Sequence, residues 1–449
     1  MKKGFLISSK AKAKSAKDRF KPGSRPDPEI VKLLYGVVEN TEKPQGYEVQ
    51  RPIMKEMDPL ASPERLPEDM TLYTTQPSIF MNATPANHEG WTECLLYPQV
   101  KALILATPGF PARLLRPSAP KYRIVPIPDK GQGLVSTANI HASDLILSER
   151  PLTLTPASAS LSKICFLREL SAKEKYLAAL YEWEHSLKIL FDRLHRDYQA
   201  AFMALANSHQ YDGSGPISGI IRTNGMGVSF LEPGKYRTEK PQPGDKGMYT
   251  AVCKEISRLN HSCYPNTIAY FDRATFSYQL FAARDIAEGE ELTLTYIGLT
   301  VPAEARQSKL EPYGFRCTCP ACHTSDASDA QRATSLRMEI TNIDDGLLKL
   351  ALMEEQGLQG CFEYSIALNT VMNLYIRIGD ADNGCMYAKK IAKRRWDASA
   401  NVAKMYSSPL AIQSHPLWKK GTQAEPSADE LKTLFAGLGL AEEHWASIF

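Results

Sequence analysis

Leu-Asn-His-Ser-Cys-Tyr-Pro-Asn (Leu259 to Asn266), Glu-Leu-Thr-Leu-Thr-Tyr (Glu291 to Tyr296) and Tyr-Gly-Phe-Arg-Cys-Thr-Cys-Pro-Ala-Cys (Tyr313 to Cys322) all fall between Arg258 and Cys322, a stretch of 65 residues. The last run packs three thiols into six positions: Cys317, Cys319 and Cys322. Free core cysteines at that density beside Pro and Arg would be hard to bury. Around a tetrahedral zinc ion, with sulfur at about 2.3 Å, the spacing is natural. Three ligands leave one place. His323 adjoins Cys322 too closely to ligate comfortably with it, whereas Cys263, 54 residues before Cys317, sits inside the Asn-His-Ser-Cys run and is the better fourth ligand. A closed set of four thiolates is structural and has no open position for catalysis.

Asn260 and His261 precede that cysteine, and Pro265-Asn266 follow it, which marks a tightly specified loop able to hold a polar ligand through side-chain amide and backbone groups. Leu292, Leu294 and Tyr296 alternate, so period-2 geometry predicts a strand that ends at Tyr296 with its ring on the leucine face.

Elsewhere the chain reads as ordinary globular protein. Of its 449 residues 43% are hydrophobic and 23% charged, which leaves room for two or three domains. No apolar run approaches the ~18–20 residues of a membrane span, and the N-terminal Gly-Phe-Leu-Ile is too short for a secretory signal. The expectation is an intracellular protein of the nucleus, the cytoplasm or both, with no membrane partner. Nine cysteines, clustered and odd in number, favour a metal over disulfides there. Net charge is +3, but residues 1–21 carry +7 and the remainder about −4. The globular part therefore lacks the basic excess that binds nucleic acid, and only the tail offers such a contact.

Fourteen of the 30 prolines lie between Pro44 and Pro128, so residues 1–90 read as basic tail and irregular wrap, and 91–120 as an N-terminal wrap with a short element near Trp91 to Leu105. Short strands are expected from Tyr122. Helical spacing and a Ser171/Glu174 capping box mark a helical block within 160–215. Thr267 to Phe271 and Ser277 to Ala283 read as a hairpin. Beyond Cys322 the pattern turns helical over 326–449, with one helix through Tyr364, Leu368, Met372 and Tyr375 broken at Gly379-Asp380 and a second after it, like one tetratricopeptide unit or a plain helical hairpin. Gly131-Gln-Gly133 lacks the third glycine and long helix of a dinucleotide fingerprint and alone reads as a tight turn, so a nicotinamide reading is poor.

The order of these features (Gly-x-Gly, an inserted block, Asn-His-Ser-Cys-x-Pro-Asn, a Tyr-terminated strand, Cys-x-Cys-x-x-Cys) resembles a SET-domain protein-lysine methyltransferase, closest to the split SET-and-MYND branch. The resemblance covers about 121–325. It implies an α+β fold with a SET domain over 121–312, a zinc-bearing post-SET segment over 313–325 and C-terminal helices. It implies S-adenosyl-L-methionine and Zn2+ as cofactors and a lysine of a histone or other protein as acceptor. By that resemblance Lys130, Gly131, Gln132 and Gly133 line the methionine end of the cofactor. Asn224, Asn260 and His261 hold its amino-acid and adenosine parts, and Phe315 stacks on the adenine. Tyr296 is the catalytic residue, and Tyr296, Tyr313 and Met226 shape the lysine channel. The sequence departs from the branch in two ways. Its insert holds only Cys165, so there is no MYND finger, and Met226 stands where an aromatic is usual, which leaves the number of methyl groups open. A silent scaffold binding protein partners, or a methyltransferase for a small-molecule amine, are the rival readings.

Overall fold

The computed structural model describes residues 43–49, 54–68, 70–78, 90–157, 169–228, 249–396 and 400–421, with the side chain of Val402 left aside. The basic tail, Cys165 and residues 161–168 of the helical block lie outside them.

The described strands form three sheets. β1 (Met54–Glu56), β2 (Thr71–Gln76) and β3 (Thr92–Leu96) join β7 (Thr153–Pro156), β9 (Tyr249–Val252) and β8 (Met226–Val228) in a six-stranded sheet ordered β1-β2-β3-β7-β9-β8. β4 (Tyr122–Ile127), β5 (Gly131–Ser136), β10 (Asn260–His261) and β13 (Glu291–Leu294) form a second, ordered β10-β13-β5-β4. β6 (Leu145–Glu149) pairs with the hairpin of β11 (Thr267–Asp272) and β12 (Ser277–Ala282) in the third.

The strands β1 and β2 correct the expectation that residues up to 90 are irregular. Thr71-Leu-Tyr-Thr-Thr-Gln is β-branched and aromatic, as a strand prefers, and pairs antiparallel with β3 from Leu72↔Leu96 to Gln76↔Thr92. Dense prolines on either side mask that signal in the sequence. The short element near Trp91 is a strand plus a helix, Pro98–Leu105.

Among the described residues three large apolar cores organise the fold, beside a small cluster of Tyr47, Ala178 and Ala179. Leu134, Ile146, Leu154, Phe276, Leu280 and Leu292 fill the space among the sheets. The helix Ala172–Arg193, begun by the capping box of Ser171 and Glu174, buries Leu187 and Leu190 with Phe202, Ile217 and Ile221 against Leu95 and Val252 of the large sheet. The third core belongs to the C-terminal helices. Phe362–Ile378 ends at Gly379, whose φ of 83° is the left-handed cap a β-carbon would strain, and Ala381–Lys393 returns alongside. Tyr364, Leu368, Val371, Ala388 and Ile391 pack there with Leu350 and Met353, and also with Cys263, Cys317 and Leu310. The cysteine cluster is thus walled by the C-terminal helices. No helix among the described residues is long and apolar enough to cross a membrane.

Candidate active site and cysteine centre

The three quoted runs converge through β10 and β13, which pair in parallel with Asn260 opposite Thr293 and His261 opposite Leu294. The chain then turns so that Ser262 N–H donates to Leu294 O (2.8 Å), and the loop carries Cys263 inward, fully buried. After the helix Ala303–Leu310 the chain returns at Cys317 and Cys319, and the short helix Pro320–His323 presents Cys322. The sulfur atoms of Cys263, Cys317, Cys319 and Cys322 all lie within 4.8 Å of one another, and His323 is not among them. Sulfurs around a tetrahedral zinc at ~2.3 Å sit about 3.8 Å apart, so the set fits that ion.

Electrostatics support the fit. Hydrogen bonds from Cys263, Cys319 and Cys322 pull the Cys317 thiol far below the ordinary range, while the bond with Cys317 pushes Cys263 far above it. One sulfur gains a charge only by denying it to a neighbour, and a divalent cation removes that conflict by letting all four ligate as thiolates. Basic groups stand ready for the resulting negative charge. Arg332, 2% exposed, donates to Cys263 O (2.7 Å) and Leu299 O (3.0 Å), and Arg306, fully buried, pairs with Asp329 (3.0 Å). Gln307 clamps the strap: its Nε2 donates to Cys317 O (3.0 Å) and Cys322 Sγ (3.4 Å), and its Oε1 accepts from Cys317 N–H (3.1 Å). The sequence reading missed Arg306, Gln307, Arg332 and Glu291, because each acts on residues far along the chain.

A second cluster gathers at β5. Asn260 Nδ2 donates to Glu291 Oε1 (2.9 Å) and Gln132 O (3.3 Å), and Lys130 Nζ meets Glu291 Oε2 at 2.7 Å. Gly133 makes this approach possible, since a β-carbon there would lie 2.6 Å from Ile127 Cγ1 and 2.9 Å from Asn260 Nδ2. Asn224 is anchored differently, with Nδ2 donating to Ala206 O (2.6 Å) and Ile220 O (2.8 Å). Both asparagines therefore keep an amide oxygen with no hydrogen bond among the described residues. Two spare acceptors and the Glu291 carboxylate suit a ligand bearing ammonium, amino or sulfonium groups.

The third feature is a cavity of about 430 Å³. Met226, Leu259, Pro265, Leu294 and Leu299 line it, with Asn224, Tyr278, Tyr296 and Tyr313 and several Ser and Thr hydroxyls among its polar members. Among the described residues no charged side chain lines it. Lys130, Gly131, Gln132, Gly133, Asn260, His261 and Phe315 stand outside it, so the expected cofactor residues divide, with only Asn224 on the cavity side. Phe315 adjoins the aromatic group instead, 6.0 Å from the His261 ring and 6.4 Å from those of Tyr296 and Tyr313.

Tyr296 itself corrects the strand expectation. β13 ends at Leu294, and the amide of Tyr296 leaves the ladder to donate to His261 Nδ1 (3.0 Å). The ring packs with Tyr313, centroids 5.0 Å apart, against the core of the C-terminal helices, whereas Leu292 and Leu294 belong to the core among the sheets. Its hydroxyl donates to Leu259 O at 2.6 Å. Burial, then the neighbouring Tyr313 and Glu291, push the phenol above its usual range, so it stays protonated.

Residues 131–297 match the family model described as "SET domain".

The chain carries a SET domain.

Among its relatives, the "Histone-lysine N-methyltransferase set5" of Schizosaccharomyces pombe is 25% identical over 288 residues, 61% of this chain and 77% of that protein. The "SET domain and MYND-type zinc finger protein 6" of the same yeast is 41% identical over 81 residues, 17% of this chain and 16% of the relative. Human "Histone-lysine N-methyltransferase SMYD3" is 38% identical over 96 residues, 21% of this chain and 22% of that one. The chain spans about three quarters of the first relative's length and under a quarter of each of the other two. The match to the SET domain takes in β5, β10, β13, Cys263 and Tyr296, and stops before Cys317.

Proposed function

We propose that the chain is an S-adenosylmethionine-dependent protein-lysine methyltransferase, acting on a lysine of a histone or another protein. The observation that carries this reading is a phenol held at the wall of a cavity whose described lining carries no charge, beside the Asn-His-Ser-Cys loop of a SET domain. When bound, the cofactor supplies a methyl group made electrophilic by a sulfonium sulfur. The amide oxygens of Asn224 and Asn260, with Glu291, are the acceptors available for its cationic and amino groups. Cys263, Cys317, Cys319 and Cys322 would hold zinc in a closed set that staples the 313–323 strap to the loop after β10.

The remaining work falls to the cavity. A lysine amine, with an ordinary pKa near ~10.4, must shed proton and water before it can attack. The described wall, which carries no charge, disfavours the ammonium and leaves the neutral amine. Tyr296 donates its hydroxyl hydrogen bond to Leu259 O and accepts none from the described residues, so its lone pairs can accept an amine N–H and weak C–H contacts from the methyl group. Since the phenol keeps its proton, it orients the amine and does not act as a base. Tyr313 and Met226 also line the cavity.

The test is transfer of labelled methyl from S-adenosylmethionine to proteins of a cell extract, with wild type beside Tyr296→Phe. Transfer should fall by at least about tenfold, roughly 1.4 kcal/mol of barrier, with cofactor affinity intact. No transfer by wild type would favour a silent scaffold, and equal rates would remove Tyr296 from the chemistry.

A further inference from the structure

His261 is expected from the sequence to touch the cofactor, yet both its ring nitrogens are engaged within the protein. Nδ1 accepts the Tyr296 N–H at 3.0 Å, and Nε2 lies 3.3 Å from Cys263 Sγ. The ring is 6% exposed and packs on Tyr296 with centroids 5.3 Å apart. A neutral imidazole has one bare nitrogen and one N–H. With Nδ1 accepting an amide hydrogen, the ring hydrogen must be on Nε2, aimed at sulfur. A ligating sulfur carries no hydrogen and can only accept, so the two bonds specify one tautomer and one ring orientation together.

We propose that His261 is a positioning residue which ties Tyr296 to the loop that Cys263 anchors, one imidazole tautomer fixing where the catalytic phenol stands. Tyr296 depends on this link because its amide has left the β13 ladder, so the histidine nitrogen takes the place of a strand partner. The phenol is then held at its other end by Leu259 O, two residues before His261. Backbone and hydroxyl of Tyr296 are thus both tied to the segment that Cys263 anchors. The link concerns which nitrogen bears the hydrogen and requires no change of charge on the ring.

This inference rests on the methyltransferase reading for its consequence, but its primary readouts do not. Full-length protein labelled with 15N-histidine and loaded with zinc should show, for the resonance absent in His261→Phe, a protonated Nε2 and a bare Nδ1. Amide exchange at Tyr296 should accelerate by about tenfold in His261→Phe, the scale of one lost hydrogen bond. In His261→Asn the side-chain oxygen can stand near the Nδ1 position, so protection should largely return. Zinc content should stay near that of wild type in both, since the ring is not a ligand. The proposal is overturned by a protonated Nδ1 in the zinc-loaded wild type, or by full Tyr296 protection in His261→Phe. If His261→Phe does not fold, His261→Asn supplies the difference spectrum and the wild-type tautomer decides. A wild type that shows the expected tautomer and transfers no methyl group would remove the functional reading and leave the link standing.

Discussion

Replacing Cys263 by serine should open the four-cysteine centre and cost the protein several kcal/mol. Cys263 is fully buried and 54 residues from Cys317, so a metal joining them closes a long loop of the unfolded chain. Treated as a cross-link, closure of a loop that size is worth about 4 kcal/mol at 25 °C. Serine keeps the shape but ligates zinc weakly, so most of this should be lost. For a unit of 150–250 residues each kcal/mol moves the midpoint by roughly 2–4 °C, giving a fall of about 8–16 °C. Differential scanning calorimetry with metal analysis measures both quantities. Wild type should carry about one zinc at this centre and lose a similar number of degrees on chelation, whereas Cys263→Ser should be insensitive to chelator. A variant that keeps its zinc and its midpoint, or a fresh, unchelated wild type without zinc, would refute the assignment of Cys263 as a ligand.

Three further outcomes follow from the same geometry. Asn260→Ala removes an amide that bridges Gln132 and Glu291 and offers its oxygen to a ligand, so calorimetry should show S-adenosylmethionine binding weakened by about 1 kcal/mol or more. Gly133→Ala forces a β-carbon against Ile127 and Asn260, an overpacking worth about 1–3 kcal/mol, and should weaken cofactor binding along with stability; unchanged values would mean that β5 relaxes freely. Burial, opposed by the amides of Ile256 and Glu255 and reinforced by the Glu255 charge, pushes the carboxyl of Glu149 up to about 7 from an ordinary 4.5. The folded state then holds a proton that the unfolded state has released, so this group lowers stability as pH rises from about 4.5 to about 7. Urea midpoints of Glu149→Gln should lack that decline and exceed wild type at pH 8; parallel curves for the two proteins would show that Glu149 does not titrate there.

What the sequence disclosed depended on how local each signal is. The Ser171/Glu174 capping box, the hairpin of β11 and β12 and the helix ending at Gly379 are written in consecutive residues, and they are where the reading placed them. The four cysteines met because their spacing left few other ways to bury them. Tyr296 was misplaced on its strand because alternation says nothing about an amide captured by His261, 35 positions away. Glu291 reads as one acid of a turn, and its bonds to Lys130 and Asn260 arise only when β13 lies between β10 and β5. Arg332 reads as an ordinary helical cation, and nothing near it reveals that its partners are carbonyls of Cys263, Leu299 and Gln356.

That arginine has a consequence for how the molecule can be divided. It belongs to the helix Ser325–Arg337, yet its guanidinium holds the backbone at Cys263, at Leu299 and at Gln356, which ends the helix Ile343–Glu355. A truncation placed at the end of the cysteine strap would leave Cys263 and Leu299 without this donor and expose Leu310 and Cys317, which share their core with Leu350 and Tyr364. The seam that a sequence aligner would choose is therefore not a mechanical seam. Any shortened protein that keeps the catalytic half intact must carry its helical neighbour with it, and insertions tolerated by the lineage should avoid this joint.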